Sequence, residues 1–175
     1  MKAIPALVRR KAAKIRLLLL DVDGVLTDGR IIIDDRGVET KQFHVRDGQG
    51  IALLKRARIE IGFITGRSSA VVRHRAKDLG VGLIYQGVDN KLACYDEIKR
   101  RQGLKDEQIA YVGDDMIDLP ILLKVGLAFS VADGWPGLIA AVDCVTTAAG
   151  GQGAVREVAE LLLKAQGKWP KLTSR

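Results

Sequence analysis

Residues 17–28 read LLLLDVDGVLTD, an apolar run ending in two aspartates one residue apart, Asp21 and Asp23. Two carboxylates at the end of a short buried strand repel unless a positive charge sits between them, so a bound cation is their natural partner. The carboxyl ends of strands in open α/β sheets are also where ligands bind. Three later segments carry compatible chemistry. Residues 59–64 end in Thr65-Gly66-Arg67, a hydroxyl and backbone N–H groups placed for a phosphate at a helix start; alone, the same turn suits an ordinary cap. Lys91 opens a predicted helix, where its charge opposes the dipole and favours a bound anion; taken alone it reads as a surface lysine. Residues 109–112 end in Gly113-Asp114-Asp115-Met116-Ile117-Asp118. Asp114, directly after the glycine, is the candidate ligand of a hard cation, whereas Asp115 or Asp118 alone would suit an N-cap. Asp21, Asp23, Thr65, Lys91 and Asp114 can together hold a divalent cation and a phosphate, with one carboxylate free to attack. A few acids plus substrate phosphate suit Mg2+.

The elements that must position these groups alternate. Apolar runs predict strands over 17–22, 59–64, 81–85, 109–112, 126–130 and 142–145, and amphipathic segments predict helices over 49–57, 68–79, 90–102, 116–124, 135–141 and 152–166. Nearly continuous apolar strands alternating with helices predict a parallel sheet covered on both faces, a doubly wound α/β domain. Residues 29–45 break the rule: they predict two strands around a turn at Asp34-Asp35-Arg36-Gly37. A lone hairpin is marginal in water, and Ile31, Ile32, Ile33, Val38, Phe43 and Val45 need cover. A subunit interface would supply it.

At 175 residues the chain is one domain able to bury its own core. The expected division is a basic arm over 1–16, a single catalytic domain over 17–167 and a basic tail over 168–175. Net charge is +7, concentrated in Lys2, Arg9, Arg10, Lys11, Lys14 and Arg16 and in Lys164, Lys168, Lys171 and Arg175. Without interleaved aromatics these ends predict a solvated helical arm and tail, with no nucleic-acid partner. Leu17–Leu20 is too short for a signal peptide, and no apolar segment approaches a membrane span. Cys94 and Cys144 have no metal or redox spacing and predict small core residues in a reducing cytoplasm.

As a set, DVDGVLTD, ITGR, Lys91 and GDDMID resemble the four motifs of the haloacid dehalogenase superfamily of aspartate-nucleophile phosphatases, over residues 17 to about 160. The resemblance implies a Rossmann-like core with Asp21 as nucleophile and Asp23 as general acid and base. Mg2+ would be held by the Asp21 carboxylate, the Asp23 backbone carbonyl and Asp114. Thr65 and Lys91 would bind phosphoryl oxygens, and Asp115 and Asp118 would orient metal waters or Lys91. The intervals between Asp21, Thr65 and Lys91 are too short for a cap domain, and FHVRDGQGI, YQGVDNK and GGQGAVREV resemble capless members. Those members act on an eight-carbon sugar-acid phosphate in lipopolysaccharide precursor synthesis and form homotetramers through their hairpins.

Around the substrate, the resemblance points to Val25, Arg67 and Arg75; Gly66, in the turn after Thr65, and His44-Val45-Arg46-Asp47-Gly48, beside the catalytic edge, are further candidates. Arg46 suits a sugar-acid carboxylate; Arg75 suits a solvated helix face equally well. In the resembled enzymes the segment Gly150–Arg156 can be a mobile lid. A nine-carbon ulosonate 9-phosphate is the alternative substrate. A phospho-acceptor receiver module is the alternative class, disfavoured because its acceptor follows the third strand.

Overall fold

The computed structural model describes residues 4–169. Its six-stranded parallel sheet has the order β5-β4-β1-β6-β7-β8, with β1 Leu17–Leu20, β4 Glu60–Ile64, β5 Leu83–Tyr85, β6 Ile109–Gly113, β7 Leu127–Ser130 and β8 Cys144–Val145. Leucines at β1 are fully buried because the strand is central and covered on both faces. Alternation sends Leu18 and Leu20 into one apolar cluster and Leu17 and Leu19 into another. The first is closed by α2 (Val45–Arg56), α3 (Ala70–Leu79) and α6 (Ala154–Ala165), the second by α4 (Lys91–Gln102) and α5 (Leu119–Leu122). Val155, Val158, Ala159, Leu162 and Leu163 form the buried stripe of α6, the spacing of a single helical face.

Several expectations shift. α2 begins at Val45, capped by His44, whose ring Nδ1 accepts from the Arg46 N–H at 3.1 Å. The Val45–Gly48 segment therefore lies within the first turn of α2 and not in a linking loop. The expected helix 116–124 is a 3-10 turn over Met116–Asp118 followed by α5, and 135–141 is 3-10 over Pro136–Ala141. The last strand shrinks to Cys144–Val145 at the sheet edge. The hairpin is present but short: β2 (Ile32–Ile33) pairs with β3 (Glu39–Thr40) around a turn in which Asp34 Oδ1 accepts from the Arg36 and Val38 N–H groups at 3.0 and 2.8 Å. Ile31, Ile33 and Val38 stay more than half exposed on it.

The expectation of a solvated N-terminal arm is corrected. α1 (Ala6–Ala12) lays Val8 and Ala12 into the main core. Two lysines of this region are paired: Lys11 meets Asp143 at 2.5 Å and Lys14, just past α1, meets Glu107 at 2.8 Å. The apolar i, i+4 pair was legible, but the density of arginines and lysines around it hid a helix with one buried face. Most of the expected basic tail lies outside the described residues. Among those described, no helix is long and apolar enough to cross a membrane, and no cap domain interrupts the layers.

Candidate active site

Three neighbouring central strands deliver the site. Leu20 of β1 pairs with Phe63 of β4 and Val112 of β6, so Asp21, Thr65 and Asp114 all fall just past the same edge. Lys91 joins them as the first residue of α4, with Asn90 capping that helix by accepting from the Ala93 N–H at 3.0 Å. Asp21, Thr65 and Lys91 are buried, which protects the edge from bulk water and strengthens every charge interaction in it.

Lys91 is the electrostatic centre. Its ammonium lies 3.0 Å from Asp21 Oδ2 and 2.7 Å from Asp118 Oδ1. Asp118 is fully buried and completely partnered: Oδ1 also accepts from the Tyr111 hydroxyl at 2.6 Å, and Oδ2 accepts from the Asp114 and Asp115 N–H groups at 3.0 and 3.4 Å. Burial alone would lower the Lys91 proton affinity, but the carboxylates of Asp21 and Asp118 outweigh it and the net shift is upward. Lys91 is thus held charged beside Asp21. Asp118, expected to orient metal waters or Lys91, thus lies in contact with the Lys91 ammonium. Asp115 does something else: it is exposed and caps the 3-10 turn, accepting from the Met116 N–H at 2.7 Å.

Asp21, Asp114 and Asp118 each bring a carboxylate oxygen within 4.8 Å of the others. Burial, then repulsion from Asp118, raises Asp21 to about 6, despite Lys91. Burial, then repulsion from Asp21 and Asp118, raises Asp114 to about 8. Asp114 Oδ1 is buried without a hydrogen-bond partner among the described residues, a cost of a few kcal/mol for a carboxylate left this way. A hard divalent cation relieves both penalties, and an all-oxygen donor set fits magnesium. The loop after β1 is shaped around this acid. Gly24, at φ +91°, lets Asp114 approach so closely that a Cβ there would sit 2.0 Å from Asp114 Oδ2. Gly150 packs in turn against Gly24, where a Cβ would meet the Gly24 carbonyl oxygen at 1.8 Å.

The same packing involves the segment that in the resembled enzymes can be a lid. Gly150 and Gly151 are buried; Gly151 N–H donates to the Val25 carbonyl at 3.0 Å and Gly150 N–H to Asp133 Oδ1 at 2.8 Å. The glycine-rich segment buttresses the loop that carries Asp21 and Asp23.

Asp23 has partners that the sequence did not disclose. Lys41, at the end of the hairpin, bonds Asp23 Oδ1 and lies 3.2 Å from Glu39 Oε1. Glu39 also accepts from the Ser69 hydroxyl and from Arg67 Nη2, the latter at 3.0 Å. The Ser69 hydrogen bond is the main cause that pulls Glu39 down to about 2, with Arg67 and Lys41 adding to it. The available signal was the alternation that puts Glu39 and Lys41 on one face of a strand. Nothing local says that this face meets Asp23.

The expected substrate residues scatter. Arg67 sits at the edge, bonded to Glu39 and 4.0 Å from Asp23 Oδ2, with Gly66 beside it in the turn where the Arg67 N–H donates to Thr65 Oγ1 at 3.3 Å. His44 faces a small cavity of about 210 Å³ with Asp28, Gln42 and Gln152. Arg46 is exposed and lines a separate cavity of about 750 Å³ between α6 and the chain start. Val45 is exposed, whereas the Val25 side chain lies in the main core. Asp47 departs most from expectation: buried, it caps α6 by accepting from the Gly153 and Arg156 N–H groups at 3.2 and 2.8 Å. Gly48 is buried against Arg75 and Leu79, and Arg75 lies 5.5 Å over the Phe43 ring.

Two acids after the first core strand, a hydroxyl after the second, a lysine opening the helix that follows the third and an acid after the fourth, all at one edge of a doubly wound sheet, define a haloacid dehalogenase-like hydrolase. A family model of that description matches residues 83–158. The 3-deoxy-D-manno-octulosonate 8-phosphate phosphatase KdsC of Escherichia coli K12 is 50% identical over 165 residues, covering 94% of this chain and 88% of that protein. The crystal structure of that phosphatase from Moraxella catarrhalis, in complex with magnesium ion, phosphate ion and KDO, matches with a TM-score of 0.92 at 45% identity, covering 94% of each chain. The cobalt-bound form from Haemophilus influenzae matches at 0.87 and 42% identity, covering 90% of this chain and 92% of that one. The chain belongs to the family of 3-deoxy-D-manno-octulosonate 8-phosphate phosphatases.

Proposed function

We propose that this protein hydrolyses 3-deoxy-D-manno-octulosonate 8-phosphate to the free sugar acid and inorganic phosphate, with Mg2+ as cofactor, in lipopolysaccharide precursor synthesis. The observation that carries the reading is the buried Asp21 carboxylate, paired at 3.0 Å with Lys91 and placed within reach of Asp114. Attack of an Asp21 oxygen on phosphorus forms an aspartyl-phosphate as the bond to the sugar oxygen breaks. Asp23 gives its proton to that departing oxygen, then takes one from the water that attacks the aspartyl-phosphate and frees Asp21. Thr65 and Lys91 bind the equatorial phosphoryl oxygens, where charge is spread in the transition state. When bound, held by Asp21, the Asp23 backbone carbonyl and Asp114, magnesium supplies positive charge that offsets repulsion between carboxylate and phosphate. Asp118 keeps Lys91 charged and aimed.

Arg67 and Gly66 border this edge, which supports a role in holding the sugar acid, and His44, on a small cavity with Asp28 and Gln152, is assigned to the same task. Arg46 suits its carboxylate, with Val45 beside it. The exposed isoleucines of the hairpin support a homotetramer closed by hairpin contacts, and the free cysteines support a cytoplasmic setting. Phosphate release from the eight-carbon ester and from a nine-carbon ulosonate 9-phosphate, measured side by side with and without magnesium, tests the proposal. Magnesium-dependent preference for the eight-carbon ester is expected; preference for the nine-carbon ester would overturn the substrate, and a stable phosphoaspartate without turnover would overturn the enzyme.

A further inference from the structure

Lys41 is the least exposed lysine side chain near the site, 1% accessible, although it comes from a short polar stretch at the end of an exposed hairpin. Burying an ammonium is costly unless its partners are fixed. Here both partners are fixed: Asp23 Oδ1 on one side and Glu39 Oε1 at 3.2 Å on the other. Glu39 is anchored in turn to Ser69, the N-cap of α3, and to Arg67. A continuous chain of charge therefore runs from the α3 cap through the hairpin to one oxygen of Asp23.

The other oxygen is treated differently. Asp23 Oδ2 is buried and has no hydrogen-bond partner among the described residues. Arg67 Nε stays 4.0 Å away, its guanidinium bonded to Glu39. A carboxyl group must present a single oxygen in a fixed direction to exchange a proton with a leaving group, and the other oxygen must be held. We propose that Lys41 is a positioning residue for Asp23, pinning Oδ1 so that Oδ2 alone faces the departing sugar oxygen. The proposal rests on Asp23 acting as the general acid.

The test uses leaving groups rather than the sugar ester alone. A sugar alkoxide is a poor leaving group and needs the proton; p-nitrophenolate is a good one and does not. Hydrolysis of the aspartyl-phosphate is common to both substrates, so losses are compared on kcat/KM, which reports only the steps through departure of the leaving group. Lys41→Met is expected to lower it by about 100-fold for the sugar phosphate and by about 5-fold or less for p-nitrophenyl phosphate, the scale of a misplaced general acid. KM for the sugar ester stays near the parent value, and Lys41→Arg, which keeps a charged donor, moves the ratio of the two rates back toward the parent. Asp23→Asn sets the reference. Equal losses on both substrates for Lys41→Met, beside unequal losses for Asp23→Asn, would overturn the role of Lys41 alone. Equal losses for Asp23→Asn would overturn its acid role and the Lys41 proposal with it. Should Lys41→Met not fold, Lys41→Gln, whose amide falls one bond short of the ammonium, is expected to show the same inequality in smaller measure; a parental ratio there would overturn the proposal.

Discussion

Gly24 and Asp114 are in contact across the mouth of the sheet: a Cβ on the glycine would lie 2.0 Å from Asp114 Oδ2, and the glycine backbone sits at φ +91°. The loop after β1 therefore depends on the absence of a side chain at this position to let the acid after β6 reach Asp21. Gly24→Ala is expected to displace Asp114 and weaken Mg2+ binding by about 10- to 100-fold, the usual cost of disturbing a ligand's support. Calorimetric titration of the folded variant checks it. Parental affinity would show that this contact is irrelevant to the metal.

The raised acids make a prediction about the metal-free protein. The unfolded chain ionises Asp21 and Asp114 at the ordinary carboxylate value of 3.8, whereas burial and mutual repulsion hold them protonated up to about 6 and about 8 in the folded protein. The folded state therefore binds more protons across that window, and stability falls as pH rises through it. Melting temperatures of the metal-free protein should decline from about pH 5 to pH 8, and saturating Mg2+ should remove most of the decline because it binds the ionised forms. A flat profile without metal would contradict the charge arrangement.

Asp118 is expected to matter through Lys91. Replacing it with asparagine leaves a shorter list of partners for a buried ammonium and a buried Tyr111 hydroxyl. Loss of one member of such a network typically costs about 3–5 kcal/mol. Denaturant unfolding of Asp118→Asn should show a large loss, accompanied by a drop in kcat. Unchanged stability would mean that the network is not closed as described.

Asp47 illustrates the opposite outcome. Its contacts are the backbone N–H groups of Gly153 and Arg156, so Asp47→Ala should cost about 1–2 kcal/mol as a lost helix cap while KM for the sugar phosphate changes little. A strong rise in KM at unchanged stability would restore it to the substrate.

The doubly wound sheet was legible because β1, β4, β6 and β7 are apolar runs between amphipathic segments. Asp21, Thr65 and Asp114 stood out as polar residues directly after three of those runs, and Lys91 as a cation opening a helix; it was the set, not any one of them, that pointed to chemistry. Lys41 was not legible, because its role depends on where a flexible-looking hairpin folds back, a tertiary fact with no local pattern. Asp47 was expected near substrate from its position beside the catalytic edge and Val25 from the resemblance, and neither reading could foresee their long-range packing. One caps a helix 106 residues away and the other fills the core. The docking of α1 was hidden by charges whose partners, Asp143 and Glu107, lie far along the chain.

The most direct test asks where the phosphoryl group goes. Asp23→Asn should slow hydrolysis of the covalent intermediate more than its formation from p-nitrophenyl phosphate, so acid quenching followed by peptide mass spectrometry should find one phosphoryl group on Asp21. The account predicts that this adduct disappears in Asp21→Asn. A phosphoryl group on another residue, or full turnover by Asp21→Asn, would contradict it.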